Sequence, residues 1–230
     1  MQTCAVGSYL SSSNRFNQHL NCACLTLMRN ETARIRRAEF KDSATKMGWE
    51  FSYAYGFDSV EEGFIPLFKH ERSPITGFKP SLPEIACAQS HQSILVDFLE
   101  SSDDYRLICE DDVLFVSTPP LVLPAHEFDI LFLNSRCQHN RYGELWGATS
   151  CGTDTYLVSR RGASLLLGIL AESDYLHLPL DMLIIARSIS MRRMGHHLSR
   201  FFPDSLRMLH SYHGDAITVH PKKHPSHLCH

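Results

Sequence analysis

Hydrophobic and polar positions along this chain fall into stretches that switch between period two and period 3.6, the repeats of strands and helices. After about twenty polar, Ser/Asn-rich residues, the run "CACLTLM" predicts a buried strand. Asn30 stands where it can cap the helix "ETARIRRAEFKDSATKM", and Gly48 where it can end it. "WEFSYAY" alternates like a second strand. Gly56 to Pro80, rich in Gly, Pro and charge, predicts a long surface loop, a length that in compact domains usually carries function. Ser81-Leu82-Pro83-Glu84 opens the helix "EIACAQSHQSILVDFLES" with the S-x-x-E spacing of a capping box, so Glu84 is assigned to the cap and not to a site.

Strands "RLIC" and "FDILFLN" follow, then a loop holding Trp146, the strand "TYLVS", and the helix "RRGASLLLGILAES", which Ser159 can cap. "LPLDMLIIARSI" predicts a last helix with Pro179 near its first turn. Strands alternating with helices predict an α/β fold around a mostly parallel sheet flanked by helices. The expected organisation is a polar leader over 1–21, one domain over 22–212, and a histidine-rich basic tail over 213–230.

Composition narrows the partners. At 230 residues, 43% hydrophobic and 20% charged, the chain can bury a sizeable core, and its net charge of −3 argues against a nucleic-acid partner. From Arg187 onward, however, Arg187, Arg192, Arg193, Arg200, Arg207, Lys222 and Lys223 face only Asp204 and Asp215. That end suits an anionic partner, including a membrane surface, or serves as a solvated face balancing acids elsewhere. The 8 cysteines form no C-x-x-C pair, which predicts a reducing compartment. The N-terminal stretch has neither the basic nor the apolar region of a signal peptide, and no run is long and apolar enough to span a membrane. The expectation is a cytoplasmic protein, soluble or peripheral on the inner face of the membrane.

The candidate chemistry sits in "RLICEDDVLFV", where Glu110, Asp111 and Asp112 interrupt an apolar run. Ligands of open α/β sheets lie beyond the carboxyl ends of strands, which is where these acids fall. If the backbone stays extended, Glu110 and Asp112 point one way and Asp111 the other. Hard oxygen ligands on one side suit Mg²⁺ or Mn²⁺, an Arg partner would also balance the charge, and so would water around an exposed turn.

The context of the triplet separates these readings. "SLPEIACAQSHQSILVDFLESSDDYRLICEDDVLF" resembles the signature segment of glycosyltransferase family 25, in which a C-x-x-S-H helix precedes an E-D-D strand end. "CLTLMRNETARIRR", "WEFSYAYGFDS", "GTDTYLVSRRGASLLL" and "HLPLDMLI" are similar to further segments of that family, in order, over roughly residues 22 to 212. The family includes lipopolysaccharide and lipooligosaccharide galactosyltransferases, and the collagen hydroxylysine galactosyltransferases resemble it. A receiver domain also has an acidic strand end, but on its first strand, whereas much of an α/β domain precedes these acids.

The resemblance implies a GT-A fold, a UDP-sugar donor (UDP-galactose first, UDP-glucose second), a divalent metal, inversion at the anomeric carbon, and a glycan or lipid-linked oligosaccharide acceptor. It makes Asp112 the leading metal ligand, Glu110 a second or water-mediated one, and His210 a third, while Asp111 is placed at the ribose. Thr26, Leu27 and Arg29 end the first strand, where a nucleotide base would lie, although Arg29 also reads as a surface residue. Ser90 and His91 belong to the C-x-x-S-H element. His91 shares a face with Cys87, Leu95 and Phe98, a core position, to which the resemblance adds a hydrogen bond to the acids or the nucleotide.

Asp181 is the best-placed acid of the second half for the general base an inverting transfer needs, and a carboxylate there also suits the helix dipole. Asp154 departs from the family's usual small or apolar residue. A catalytically idle protein that keeps the fold and binds nucleotide or glycan is the competing class, and retention of both the triplet and Asp181 argues against it.

Overall fold

A computed structural model describes residues 20–121, 123, 127–134, 152–188, 201–203, 206–210 and 217–219. Strand β1 (Asn21–Thr26) leads into helix α1 (Glu31–Met47), then β2 (Phe51–Tyr55), α2 (Leu82–Glu100), β3 (Tyr105–Glu110) and β4 (Leu114–Phe115). The second half contributes β5 (Ile130–Phe132), β6 (Thr155–Ser159), α3 (Arg160–Ala171), α4 (Leu180–Ala186), β7 (Met208–His210) and β8 (Thr218–Val219). Six strands form one sheet in the order β2-β1-β3-β6-β5-β7, and β4 pairs with β8 in a second, two-stranded sheet. In the large sheet β6 runs antiparallel to both neighbours, while the other pairings are parallel. This is the mostly parallel α/β sheet that the alternation predicts.

Both faces of that sheet are covered, as a parallel sheet requires. Ala23, Leu25, Ile108 and Val158 project into one core with Ile85, Leu95 and Phe98 of α2, Leu166 of α3 and Ile184 of α4. The alternate residues Cys22, Cys24, Leu107 and Cys109 project into another with Phe40 and Ala44 of α1. Fully burying a side chain such as Phe98 contributes about 1.5–3 kcal/mol, so these two layers hold the strand ends in fixed register.

Local signals set the helix ends. Asn30 accepts from the Ala33 amide at 3.1 Å, Ser81 and Glu84 form the reciprocal capping box, and Ser159 accepts from the Gly162 amide at 3.0 Å. Gly48 ends α1 in the left-handed region at φ 78°. Gly162 answers to close approach, since a Cβ there would lie 2.2 Å from the Asp129 carbonyl oxygen.

The stretch from Gly56 to Pro80 contains no helix or strand, as expected, but it is firmly fastened. Ser90 accepts from the Phe57 amide at 2.8 Å, Gln89 accepts from Leu67 at 2.9 Å and donates to the Ile65 carbonyl at 3.1 Å. Ser73 meets His177 Nδ1 at 2.7 Å just ahead of α4. The loop thus ties the end of β2 to the approach of α4.

The expected domain end at 212 is too early. Ile217 and Thr218 are buried, β8 pairs with β4, and the Thr218 hydroxyl donates to Thr155 Oγ1 at 2.8 Å. The folded unit therefore reaches at least Val219, and the chain beyond 212 is not simply a solvated tail. Strands of two or three residues, such as β4, β7 and β8, are too short for a period to show. The leader up to residue 19, the Trp146 loop and most of the late histidines lie outside the described residues. Among the described residues no helix is long and apolar enough to cross a membrane.

Candidate active site

The acids of the triplet gather at the carboxyl end of β3, and all three are buried: Glu110 and Asp111 are 1% exposed and Asp112 2%. Backbone pairing fixes them on both sides. The Asp111 amide donates to the Leu25 carbonyl of β1 at 3.0 Å, and the Glu110 amide donates to the Asp154 carbonyl at 2.8 Å. Glu110, the last residue of β3, and Asp111, the first of the turn that follows, consequently face different neighbours.

Asp111 faces α1. Arg36 Nε lies 2.8 Å from its Oδ1, in an ion pair whose side chains are both nearly inaccessible, and the Thr26 hydroxyl donates to Oδ2. Removing one partner of such a pair costs about 3–5 kcal/mol, because the other charge is left buried. Burial pushes the Asp111 carboxyl up to about 6, Arg36 and Thr26 oppose that shift, and the neighbouring Asp112 and Glu110 add to it. The upward push from its neighbours is the electrostatic signature of crowded carboxylates.

The next residue of the helix completes this corner. The Arg37 guanidinium donates to Thr26 Oγ1 at 3.2 Å, to the Leu27 carbonyl, and to the Met28 carbonyl at 3.4 Å, so it shapes the turn after β1. The basic helix start is a set of props for two strand ends, a role that helical spacing alone does not disclose.

Glu110 faces α2 and β6. Its Oε1 accepts from the Thr153 hydroxyl at 3.0 Å and lies 3.3 Å from His91 Nε2, while His91 Nδ1 lies 2.9 Å from the Tyr156 hydroxyl. His91 is fully buried, and burial works against its charge. Tyr156, Cys87 and Glu110 around the ring outweigh that and hold it well above the ordinary histidine range. Cys87, one helical turn before His91, brings its sulfur into the same cluster, with ligand atoms of Cys87, His91 and Glu110 all within 4.8 Å of one another.

A three-residue turn, Gly152–Asp154, joins this edge to the second half of the chain. Gly152 adopts φ 55°, a conformation suited to glycine, and its amide donates to Asp181 Oδ2 at 3.3 Å. Its carbonyl accepts from Asn134 Nδ2 at 3.2 Å, and the same Asn134 amide group donates to Asp154 Oδ1. Thr153 reaches Glu110, as above. Asp181 also accepts from the Met182 amide at 2.8 Å, so one oxygen meets the first turn of its own helix while the other holds the Gly152 amide. Asp181, Glu110 and Asp154, far apart in sequence, therefore meet on consecutive residues of one turn. Thr153 and Tyr156 stand in the segment "GTDTYLVSRRGASLLL" with no role assigned from the sequence, and Asn134 was not singled out, because their importance lies in long-range contacts.

The remaining expected residues fall into three groups. Thr26 and Leu27 are buried at the end of β1, beside the acids. Ser90 is buried too, donating to the Ala86 carbonyl at 2.7 Å and holding Phe57; a Cβ on Gly56 would lie 2.6 Å from its Oγ. Arg29 is on the surface, its side chain 80% exposed and paired with Glu61 at 3.0 Å. His210 ends β7 in register with Phe132, three strand spacings from β3, or about 14 Å.

Among the described residues, the ligand atoms close enough to share an ion are those of Cys87, His91 and Glu110. Asp112 and Asp154, as buried as Glu110, add carboxylates of the type that hold Mg²⁺ and Mn²⁺.

Comparison with known proteins identifies the family. Residues 28–144 match the family model of glycosyltransferase family 25, described as LPS biosynthesis protein. Among solved structures, a glycosyltransferase involved in glycosylation of the major capsid of PBCV-1 is 12% identical, with a TM-score of 0.48 over 90% of this chain and 95% of that one. A mutant of Drosophila β1,4-galactosyltransferase 7 in complex with manganese, UDP-Gal and xylobiose is 15% identical, with a TM-score of 0.38 over 87% of this chain and 70% of that one. No curated protein matches the sequence. With identities and scores this low, the assignment rests on the family match, which spans half of the chain and includes the acidic strand end: the protein belongs to glycosyltransferase family 25, and its α/β sheet is the GT-A arrangement expected of that family.

Proposed function

We propose that this glycosyltransferase moves a hexose, galactose first and glucose second, from a UDP-sugar to a hydroxyl of a lipopolysaccharide or related surface glycan, inverting the anomeric carbon. The observation that carries the reading is the Gly152–Asp154 turn, which receives Asp181 on one residue and Glu110 on the next. On this reading one turn bonds both the base for the acceptor and a carboxylate for the donor side.

On this reading Glu110 and Asp112 hold Mn²⁺ or Mg²⁺. His210, three strands away, is not required for that shell. A bound cation would offset the negative charge that develops on the departing diphosphate. Thr26, Leu27 and Arg29 border the nucleotide. Asp111, whose oxygens meet Arg36 and Thr26, keeps the ends of β1 and β3 in place, and its expected contact with the ribose is secondary to that. His91 and Ser90 act from behind, on Glu110 and on the Gly56–Phe57 backbone.

The acceptor oxygen attacks the anomeric carbon opposite the diphosphate. The new glycosidic bond forms as the bond to UDP breaks, and Asp181 takes the acceptor's proton. A lipid-linked acceptor would bring the enzyme to the inner membrane face, with the basic C-terminal region as the contact.

Incubation of the intact protein with a panel of UDP-sugars and Mn²⁺, following UDP release, tests this directly. Turnover of UDP-galactose above all others is the expected result. Release of UDP from none of them, and no binding of UDP, would remove the reading.

A further inference from the structure

We propose that Asn134 is a positioning residue for the transfer step, holding the Gly152–Asp154 turn so that the Gly152 amide meets Asp181. The inference rests on the reading of Asp181 as the acceptor's base and goes beyond it by naming what fixes that base's partner. Sheet order sets β6 between β3 and β5, so the turn that precedes β6 has a neighbour on each side. On the β3 side Thr153 bonds Glu110 at 3.0 Å. On the β5 side stands Asn134, two residues past the end of that strand and 2% exposed.

The two ends of the turn are held by different means. Thr155 is paired with Cys109 in the sheet, and the Glu110 amide reaches the Asp154 carbonyl at 2.8 Å, so the last residue is fixed by backbone pairing. Gly152 belongs to no strand or helix, and as a glycine it has two permissive torsions that its own chemistry does not restrict. Its orientation has to be imposed from outside. The Asn134 amide nitrogen carries two hydrogens, and it donates to the Gly152 carbonyl at 3.2 Å and to Asp154 Oδ1. One group thus spans the first and last residues of the turn. Pinning the Gly152 carbonyl fixes the peptide plane that follows, and with φ at 55° this aims the Gly152 amide at Asp181 Oδ2, 3.3 Å away.

Asn134 is itself held firmly. The Leu133 amide donates to the Thr155 carbonyl at 3.0 Å, the Leu133 carbonyl accepts from the Ile217 amide at 2.9 Å, and Asn134 is bridged to Thr218. A side-chain amide does not titrate, so both of its donors are present at any working pH.

Asn134→Ala removes both donors and leaves Gly152 to find its own conformation. Misplacing a group by about 1 Å can cost about 10²-fold in rate, so turnover per folded molecule should fall about 10–100-fold. It is measured as UDP release from UDP-galactose with Mn²⁺ and purified lipopolysaccharide. Calorimetric affinity for UDP with Mn²⁺ should keep its wild-type value, because Glu110 pairs with Leu25 of β1 independently of the turn. The deciding readout is a cycle with Asp181→Asn. Acting through Asp181, Asn134→Ala should slow that variant by no more than about 3-fold, whereas an independent effect would repeat its full loss there.

Equal slowing in both backgrounds, a wild-type rate in Asn134→Ala, or a loss of UDP affinity as large as the loss of rate each overturns the proposal. Should Asn134→Ala not fold, Asn134→Ser, too short to span both ends of the turn, enters the same cycle with the same outcomes. A wild-type rate in Asp181→Asn alone is the separate result that removes the base reading, and the proposal with it.

Discussion

Two buried carboxylate sites lie at opposite ends of the same sheet, and they are built differently. Asp129, just before β5, is a single acid set between Arg161 and Arg207, with its Oδ2 also accepting the Arg207 amide at 2.6 Å. The edge beyond β3 instead collects Glu110, Asp111, Asp112 and Asp154, and there Arg36 pairs with Asp111. At the first site each group is matched within the protein, which is how a fold secures a corner. At the second, four buried acids gather at one strand end, and burial first, with Asp112 and Glu110 adding to it, raises the proton affinity of Asp111. Such crowding opposes folding, so its persistence points to a task, which on the proposed reading is handling the charged donor.

The comparison breaks most clearly through Asp181, which borders the acidic edge. Asp181→Asn keeps the shape and one acceptor for the amides of Met182 and Gly152 but loses the basicity. Transfer should fall about 10²–10⁴-fold while UDP and metal binding persist. Turnover near wild type, with only a lower melting temperature, would make Asp181 purely structural and move the search for the base to Asp154.

A smaller effect follows from the support beneath that edge. Removing residues 213–230 deletes Ile217 and β8, and burying one such side chain contributes about 1.5–3 kcal/mol, so the domain should lose about 3 kcal/mol of stability. Removing only 221–230 should leave the melting curve unchanged. Equal melting of the two truncations would restore the simple tail that the sequence leads one to expect.

Asp129 should give the reverse of Asp181. Asp129→Asn leaves its guanidinium partners poorly matched and should cost about 1–3 kcal/mol, with turnover per folded molecule intact. Loss of turnover at full stability would erase the distinction between the two sites.

The least effect belongs to His177, away from both. Burial and Arg187 lower its proton affinity against Glu172, so the folded state resists the proton that the unfolded chain accepts. Its contribution is present above about pH 6.5 and is lost as pH falls below that value. His177→Gln should flatten the fall in melting temperature between pH 7 and pH 5, and an unchanged slope would assign that fall to other groups.

Much of this was legible in the chain. Asn30, Ser81, Ser159 and Gly48 mark helix ends by local chemistry, which acts within three or four residues and so can be read from spacing. The acidic strand end and its family were legible as motifs. Arg36 was not, because a basic residue on a helix reads as surface until a distant Asp111 claims it. Nor was the Gly152–Asp154 turn, whose meaning lies in reaching Glu110 and Asp181, contacts that no periodicity encodes. The same holds for β8, whose two residues are strand only because β4 lies opposite.

The claim that the acidic edge exists to hold a metal against a nucleotide is tested most directly by UDP binding to Asp112→Asn. Calorimetry on the wild-type protein should show UDP affinity that depends on Mn²⁺ and collapses with EDTA, and in the Asn variant the Mn²⁺-dependent part should vanish while the fold remains intact. UDP affinity that is the same in both proteins, with and without EDTA, would contradict the account.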